Sequence, residues 1–238
     1  MPPNAPFEIL ARAEQLLRRH AWLVGSAPAA IDALLAGARI QRHERGQYLF
    51  HREEASHDAW LVVDGFVTTG VVGPDGKAYT SHWFGAGAVL NIVSAMDAQS
   101  AIHDCIARTD SISVQIKGCA LQAFLDQHPG AKDAILRYLC GRIRYLQRLV
   151  RESALATLRA RCAQVLVDLA DEHGIGQDDG VRLAFSLTQE SLGEMLGCTR
   201  QSVNKELQLF EREGLIRFTR SCCVLLERAR LDAIAFAG

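Results

Sequence analysis

The sequence predicts an α+β protein, in which an N-terminal antiparallel β domain is followed by a long helix and then by short helices with a β-hairpin. Three observations support this prediction. Residues 38–118 contain short β-rich runs separated by turn residues, and residues 131–158 carry apolar side chains at heptad spacing. Residues 187–216 contain two amphipathic helical patterns joined by a glycine turn. Such changes of hydrophobic period mark the successive parts of the chain.

The composition is that of an ordinary globular protein, since 49% of the 238 residues are hydrophobic and 22% are charged. No apolar run approaches the roughly 18 residues that a membrane-spanning helix needs. The N-terminal run MPPNAPFEIL lacks a basic segment followed by an apolar one, so we expect no secretory signal and a cytoplasmic protein. The net charge of −1 gives no overall basic character, and any contact with nucleic acid must therefore be local.

The seven cysteines are predicted to be free thiols. Their number is odd, they are dispersed, and no pair has the C-x-x-C spacing that zinc sites use. We therefore expect neither a disulfide framework nor a bound metal. The cysteines are Cys105, Cys119, Cys140, Cys162, Cys198, Cys222 and Cys223.

The first 118 residues combine two short helices with the β domain. Residues 7–37 are helix formers interrupted at Gly25, Ser26 and Pro28, and the second helix is expected to end at Gly37. The β-rich runs that follow are RIQRH, QYLFH, AWLVVDG, FVTTGVVG, AYTSHWF and DSISVQI. The turns between them contain Arg45-Gly46, Asp64-Gly65, Pro74-Asp75-Gly76 and Gly85-Ala86-Gly87. This spacing predicts a small antiparallel sandwich or barrel.

The longest helical pattern covers residues 131–158 and follows His128-Pro129-Gly130, which ends whatever precedes it. Its apolar stripe alternates steps of three and four residues, which defines a heptad seam. One apolar stripe commonly packs on its own domain. The repeated heptad steps and the arginine-rich outer surface nevertheless favour a helix pair, most simply in a symmetric homodimer. The seam consists of Leu136, Leu139, Ile143, Leu146 and Val150, followed by Ser153 and Thr157.

Two segments connect this helix to the C-terminal pattern. Residues 158–173 predict a second helix. The glycine- and aspartate-rich run GIGQDDG at 174–180 is expected to form a loop. We place the boundary between the two halves of the chain near 155–160.

The first helix of the C-terminal pattern can be capped by Thr188 or Ser186, whose hydroxyls accept hydrogen bonds from the first turn. Gly193, in the middle of this helix, permits a second helix to cross closely. Gly197 tolerates the left-handed turn that ends the helix. The pattern therefore predicts a tight connection to a second helix.

That second helix can be capped by Thr199 and is ended by Gly214. Its inward stripe is Val203, Leu207 and Phe210. Two helices joined by a short glycine-containing turn form the helix-turn-helix plan.

The face opposite this stripe carries polar side chains suited to contact DNA bases. Arg and Lys donate to guanine O6 and N7, and Gln and Asn can bond adenine bidentately. These side chains cluster at the N-terminal end of the helix, which contacts base edges in helix-turn-helix proteins. The alternative is a solvated polar face. The predicted base-contacting residues are Arg200, Gln201, Asn204 and Lys205.

The residues after the second helix predict a β-hairpin, with strands at 215–218 and 224–226 and a turn at 219–221. A hairpin in this position is the wing of a winged helix, which favours DNA binding over a solvated face. Side chains at helix starts and at the wing tip can hold phosphates. The predicted phosphate contacts are Thr188, Gln189, Thr199, Ser202 and Arg220.

The run LTQESLGEMLGCTRQSVNKEL, followed by EGLI, resembles the DNA-binding signature of the CRP/FNR superfamily of transcription regulators, and the order of elements extends the resemblance over most of the chain. The resemblance implies a sensor domain at 1–128, whose double-stranded β-helix is a jelly-roll like that of cyclic-nucleotide-binding domains. It implies a dimerisation helix at 129–158 and a winged helix-turn-helix domain at 159–238. The implied partners are a palindromic operator in double-stranded DNA, RNA polymerase and a second copy of the chain.

By position, Arg200, Gln201 and Lys205 match the residues that contact bases in this family. Many members have Glu, which accepts from cytosine N4, where this chain has Gln201. Adenine is therefore a candidate partner of Gln201. The family implies no catalytic residue, and we expect no enzyme activity.

Founding members of the family bind cyclic AMP in the β-roll, or carry an iron–sulfur cluster or a haem. The family holds the phosphate of cyclic AMP with a Gly-Glu pair and an Arg-Ser pair. Here Asn91-Ile92 stands at the first pair, and Ser100 remains alone, because no arginine occurs between Arg52 and Arg108. Leu149-Val150 replaces the Thr-Ser pair that meets the adenine. We therefore expect an unidentified small effector or a redox signal other than cyclic AMP.

A haem-based gas sensor of the same family is an alternative, although histidines scattered in a β domain are more often surface residues or hydrogen-bonding partners. A haem-containing member of the family uses an N-terminal proline as a ligand, and this chain begins Met-Pro-Pro. An iron–sulfur cluster is not expected, because no cysteine precedes Cys105. The candidate haem ligands are His51, His57, His82, His103 and Cys105.

Two further alternatives concern the β domain. A small apolar or aromatic effector could be held among Tyr79, Trp83, Phe84 and the long helix. A cupin-like metalloenzyme shares the jelly-roll core, but residues 38–118 lack the H-x-H spacing with a following Glu that such a metal site uses.

Overall fold

The computed structural model describes residues 5–20, 22–23, 27–219 and 222–236. These residues divide into two compact units, one within 1–71 and 81–142 and the other within 72–80 and 143–238. Among them, no helix combines the length and the apolar character that crossing a bilayer requires. The predicted helix break at Gly25 and Ser26 lies outside the described residues.

Two helices precede the β-sheets, as predicted. Helix α1 (Pro6–Arg18) and helix α2 (Pro28–Leu35) both have a proline in the first turn, where its missing N–H leaves no intrahelical hydrogen bond unmade. Gly37 follows with a left-handed φ of 79°, which glycine adopts without strain. Buried side chains on both helices join the larger core of the first unit.

The β domain is an antiparallel sandwich of two four-stranded sheets, which confirms the predicted architecture. One sheet has the strand order β1-β8-β3-β6 and the other β2-β7-β4-β5. Strands β6 and β7 and the short helix α3 (Ile92–Asp97) between them were not anticipated. The strands are β1 (Arg39–His43), β2 (Tyr48–Phe50), β3 (Ala59–Asp64), β4 (Val67–Val72), β5 (Ala78–Phe84), β6 (Val89–Leu90), β7 (Asp104–Ala107) and β8 (Ser111–Ile116).

Strand β3 is buried on both faces, which explains its continuous apolar sequence. Trp60 and Val62 point into the inner core between the two sheets. Ala59, Leu61 and Val63 point the other way, into the core that the sheet forms with the helices. Side chains alternate between the faces of a strand, so each core receives every second residue.

The sandwich is followed by helix α4 (Gly118–Gln127) and by the long helix α5 (Pro129–Leu155). Helix α5 begins two residues before the helical pattern at 131–158, at the start that the resemblance implied, because proline is well suited to the first helical position. It ends before the predicted 158, because the Thr157 hydroxyl accepts a hydrogen bond from Ala160 N at 3.2 Å and caps the next helix. The placement of Thr157 in the heptad seam was therefore wrong.

The second unit contains a four-stranded sheet with the order β11-β12-β10-β9. The expectation of a loop at 174–180 was wrong, because Gly174 and Gly180 lie in a hairpin in which they pair with Leu183 and Gln177. This hairpin is held by a pairing with β12 that is distant in sequence. The C-terminal helix was also not anticipated. The elements are α6 (Leu158–His173), β9 (Gly174–Gln177), β10 (Gly180–Leu183), α7 (Gln189–Leu196), α8 (Arg200–Arg212), β11 (Ile216–Phe218), β12 (Cys223–Leu225) and α9 (Arg228–Phe236).

Candidate nucleic-acid interface

The connection between α7 and α8 has the predicted helix-turn-helix geometry. Thr188, and not Ser186, caps α7 by accepting from Ser191 N at 3.0 Å. Gly193 is buried where a Cβ atom would lie 2.9 Å from the Cys198 carbonyl oxygen, so no larger residue fits without a shift of the backbone. Gly197 ends the helix with a φ of 63°. The two glycines therefore allow the close crossing that the sequence predicted.

Helix α8 separates its apolar and polar faces clearly. Thr199 caps it by accepting from Ser202 N at 3.2 Å. The side chains of Val203, Leu207 and Phe210 are at most 1% exposed, as predicted. On the opposite face Arg200, Gln201 and Lys205 are exposed and Asn204 is half-buried. The polar cluster thus lies at the N-terminal end of a helix whose other side is firmly packed.

Two arginines of α6 hold the helix-turn-helix in place, and neither contact was predicted from the sequence. Arg159 donates to both carboxylate oxygens of Glu213, at 2.8 and 2.7 Å, and its guanidinium carbon lies 4.9 Å from the centre of the Phe210 ring. Arg161 donates to the carbonyl oxygen of Leu196, at the C-terminal end of α7. The C-terminal end of α8 is therefore fixed to α6, whereas its N-terminal end faces solvent.

The side chains of Gln189 and Asn204 are in contact with each other. Gln189 Nε2 donates to Asn204 Oδ1 at 2.8 Å, and Arg200 Nε donates to Gln189 Oε1 at 3.4 Å. The sequence predicted that Gln189 contacts a phosphate and that Asn204 contacts a base, but it did not predict that they meet. The contact depends on how α7 crosses α8, which spacing along the chain does not specify.

The hydroxyl groups predicted to contact phosphate lie at the two helix starts. Thr188 Oγ1 is 2.8 Å from Ser191 Oγ, and Thr199 Oγ1 is 3.0 Å from Ser202 Oγ. Because a hydroxyl can donate as well as accept, each pair retains a hydrogen that a phosphate oxygen can receive. The positive end of the helix dipole adds to this attraction.

The predicted wing is an antiparallel hairpin of β11 and β12, in which Phe218 pairs with Cys223. Phe218 N donates to Glu211 Oε1 at 2.9 Å, which attaches the hairpin to α8. At the tip, Thr219 N donates to Cys222 O at 2.8 Å. Arg220, the predicted phosphate contact of the wing, lies outside the described residues.

Helix α5 exposes most of its predicted seam. Leu136, Ile143, Leu146 and Val150 are 53%, 59%, 49% and 68% exposed. Leu139 differs from them, since it packs against the core of the first unit. An apolar stripe of this extent on a charged helix is unusual for a surface in contact with water only.

The two residues that the resemblance places at the family's Gly-Glu pair, Asn91 and Ile92, are held by contacts within the first unit. Asn91 has a left-handed φ of 57°, and its Nδ2 donates to the carbonyl oxygens of Ser56 at 3.2 Å and Asp58 at 3.0 Å. Ile92 is 6% exposed and belongs to the core. An amide that bonds the backbone and a core isoleucine thus occupy the two positions.

The histidines considered as haem ligands have separate surroundings. His51 stacks on Tyr48 with ring centres 4.1 Å apart. His57 Nδ1 lies 3.2 Å from the carbonyl oxygen of Gln99. His82 is buried beside Phe84. Each of these three histidines therefore has a contact within the β domain.

Burial favours the uncharged forms of His103 and Cys105. Burial, and then the positive charge of Arg142, lower the pKa of His103 below its usual value. Burial raises the pKa of the Cys105 thiol far above its usual value, which opposes formation of the thiolate that binds metals. Within the described ranges, no group of three or more His, Cys, Asp or Glu side chains could hold a metal ion. The N-terminal Met-Pro-Pro lies outside those ranges.

The second unit contains a cavity of about 250 Å³ that includes Tyr79 and Leu149 in its lining, together with Val165 and Met195. Trp83, which was considered with Tyr79 for an apolar effector, is 2% exposed and buried in the first unit. Phe84 packs against the inner core of the sandwich.

Two family models match this chain, and together they cover both units. A model described as a cyclic nucleotide-binding domain matches residues 40–128. A model described as a Crp-like helix-turn-helix domain matches residues 160–234. The first match falls on the sandwich and α4, and the second on the elements from α6 to α9.

Similar proteins include a CRP-like cAMP-activated global transcriptional regulator of Mycobacterium tuberculosis, with 25% identity over 92% of this chain and 97% of the relative. A CRP-family regulator from Thermus thermophilus has the same fold, with a TM-score of 0.68 and 24% identity over 82% of this chain and 96% of its own. A c-di-GMP-responsive regulator from Xanthomonas campestris also has this fold, with a TM-score of 0.70 and 19% identity over 84% of this chain and 99% of its own. The chain belongs to the CRP/FNR superfamily of transcription regulators.

Proposed function

We propose that this regulator acts as a homodimer that binds a palindromic operator in double-stranded DNA and responds to a signal other than cyclic AMP. The observation that carries the proposal is the N-terminal end of α8. There Arg200, Gln201 and Lys205 are exposed, while the opposite face of the same helix is buried. A helix with this geometry can enter the major groove with its polar end against the base edges.

The DNA contacts divide into two kinds. Arg200, Gln201, Asn204 and Lys205 contact bases, whose donor and acceptor patterns specify sequence. Thr188, Gln189, Thr199, Ser202 and Arg220 contact phosphates, which position the protein without specifying sequence. The near-zero net charge of the chain makes these local groups the main source of attraction to DNA.

Dimerisation is supported by the exposed stripe on α5. Leu136, Ile143, Leu146 and Val150 would be covered by the same residues of a second copy, because a symmetric helix pair places like seams together. Such a dimer presents two α8 helices to two half-sites about one helical turn of DNA apart.

The signal is proposed to differ from cyclic AMP because Asn91 and Ile92 bond the backbone and fill the core where the family holds a phosphate. Similar proteins respond to different small molecules, since one is described as cAMP-activated and another as c-di-GMP-responsive. The cavity lined by Tyr79, Leu149 and Met195 is a candidate site for a small effector. RNA polymerase, as a partner at promoters, and a cytoplasmic location belong to this proposal.

Selection from randomised DNA duplexes with the full-length protein tests the proposed function. We expect enrichment of a two-fold symmetric sequence, and light scattering of the enriched complex should give two protein chains per duplex. The absence of any enriched sequence would refute specific DNA binding. Calorimetric titration with cyclic AMP is expected to show no binding, and the absorbance spectrum of the purified protein is expected to lack the Soret band of a haem.

A further inference from the structure

A hydrogen-bond chain between α7 and α8 fixes how Asn204 can meet DNA. Arg200 Nε donates to Gln189 Oε1, and Gln189 Nε2 donates to Asn204 Oδ1. A guanidinium group has only donors, so the amide atom that faces Arg200 must be the oxygen. This turns the Gln189 nitrogen toward Asn204, whose facing atom must then also be an oxygen. The arginine thereby sets the orientation of both amides.

Asn204 is left with its Nδ2 hydrogens for an outside partner. Its side chain makes no further hydrogen bond among the residues that the structure describes. It lies on the polar face of α8, one helical turn from Arg200. We propose that Gln189 is a positioning residue that turns the Nδ2 group of Asn204 outward, so that Asn204 meets the major groove mainly as a donor. This inference rests on the proposed function, since it concerns which base that contact selects.

An amide that mainly donates selects a different base from an amide that turns freely. A freely turning asparagine bonds adenine with both amide atoms, one at N6 and the other at N7. The oriented Asn204 has its oxygen engaged, so it pairs best with acceptors, which guanine presents at O6 and N7 and thymine at O4. Cytosine presents an amino donor there and is disfavoured. Guanine and thymine are therefore favoured over adenine, which presents one acceptor, N7, beside the amino donor at N6.

Selection from randomised duplexes with the full chain measures this preference directly. The variant Asn204→Ala identifies the half-site position that Asn204 contacts, because the base preference at that position disappears. There the wild-type protein is expected to favour guanine or thymine over cytosine by about tenfold, the effect of one good base contact. If Asn204→Ala alters no position, the inference is wrong.

The variant Gln189→Glu is designed to reverse the donor and acceptor roles in the hydrogen bond between residue 189 and Asn204. A carboxylate only accepts, so Glu at this position still bonds Arg200 but turns the Asn204 nitrogen toward itself. The Asn204 oxygen then faces DNA, and the preference is expected to change to cytosine or adenine, which have amino donors. The variant Gln189→Leu breaks both hydrogen bonds at similar volume, and adenine is expected to gain because Asn204 can then turn.

A matched control separates this effect from the added negative charge. The double variant Gln189→Glu with Asn204→Ala is expected to lose overall affinity and to show no preference at the position. If these hydrogen bonds only stabilise the helix crossing, Gln189→Leu would have a lower melting temperature than the wild-type protein. The base preference of both Gln189 variants would then be unchanged. That result overturns the inference and leaves the proposed function intact. If the wild-type protein enriches no half-site, both fail together.

Discussion

On helix α8 the apolar residues Val203, Leu207 and Phe210 are buried and the polar ones face solvent, whereas helix α5 exposes an apolar stripe beside its charged side chains. Both helices are amphipathic, and both have a face that the chain itself does not cover. On α8 that face carries cations and amides, which suit a polyanion with base edges. On α5 it carries leucine, isoleucine and valine, which suit another apolar surface.

The difference shows that the exposed face of an amphipathic helix is informative only when its residue types and its place in the fold are also considered. A polar face in water is the ordinary state of a surface helix, so the exposed side of α8 indicates function only through its residue types and its place in a helix-turn-helix. An apolar face in water is unfavourable, so the exposed side of α5 indicates a partner by itself.

The largest effect is expected when the apolar face of α5 is made charged. In the double variant Ile143→Asp with Leu146→Asp, a dimer would lose four buried side chains, or on the order of 6 kcal/mol at about 1.5 kcal/mol for each. Light scattering should then give the mass of a single chain, and operator binding should weaken as the dimer is lost. Arg144→Asp, on the charged side of the same helix, is the control and should remain a dimer. A dimeric double variant would contradict the assignment of the seam.

A smaller effect is expected from the glycine that lets α8 pack. Gly193→Ala places a methyl group about 2.9 Å from the Cys198 carbonyl oxygen, and we expect it to lower the free energy of unfolding by about 1–3 kcal/mol. Gly141→Ala lies on α5 where an added Cβ atom would meet no other part of the described chain within 4 Å, and it should raise the free energy of unfolding by about 0.5–1 kcal/mol. Chemical denaturation measures both. Equal effects of the two changes would show that α8 is not closely packed against α7.

The polar face of α8 is tested by its arginines. Arg200→Ala should weaken binding to the selected operator by about 1–3 kcal/mol, because it removes a donor to a base edge. Arg212→Ala, at the opposite end of the same helix, should change affinity by less than about 0.5 kcal/mol. Fluorescence anisotropy at constant salt concentration measures both affinities. If both variants lose the same affinity, charge alone would explain binding, without a specific base contact.

The smallest effect concerns pH and lies outside both helix faces, since neither α5 nor α8 contains a histidine. Burial lowers the pKa of His43, whose Nε2 lies 2.9 Å from Ser113 Oγ. Below about pH 6.5 the unfolded chain therefore takes up a proton that the folded chain resists, so stability falls with the pH. The contribution of neutral His43 to the free energy of unfolding is fully present above about pH 6.5, and it is lost as the pH falls toward the lowered pKa of His43.

His43→Gln can keep a hydrogen bond to Ser113 and cannot take up this proton. Its melting temperature should fall less steeply below pH 6.5 than that of the wild-type protein. Burial also lowers the pKa of His20 and His103, so the slope should decrease without disappearing. Parallel melting curves for the two proteins across this range would refute the role of His43.

Much of the fold was predictable because its signals are local. The caps at Thr188 and Thr199, the glycines beside them and the inward stripe of α8 are all set within a few residues of sequence. The heptad seam of α5 was predictable for the same reason. Where two local signals competed at Thr157, capping of α6 prevailed over continuation of the seam, because the hydroxyl satisfies a backbone donor that would otherwise be unpaired.

What could not be predicted depends on contacts distant in sequence. Strand β9 consists of four exposed residues, so it shows no alternation, and only its pairing with β10 makes it a strand. The hydrogen bond between Gln189 and Asn204 depends on the crossing of two helices, and the bond between Arg159 and Glu213 joins residues 54 positions apart. In the candidate interface, the residue types were therefore predictable, whereas their mutual orientation was not.

Strand β3 mechanically connects the two cores of the first unit. Trp60 and Val62 line the inside of the sandwich, and their immediate neighbours Leu61 and Val63 press on a helix layer that includes the first turns of α5. Protein interiors are close-packed and barely compressible, so a strand with both faces buried transmits strain from one core to the other. The same strand therefore belongs both to the core inside the sandwich and to the core that contains Ala131 and Ile135 at the start of α5.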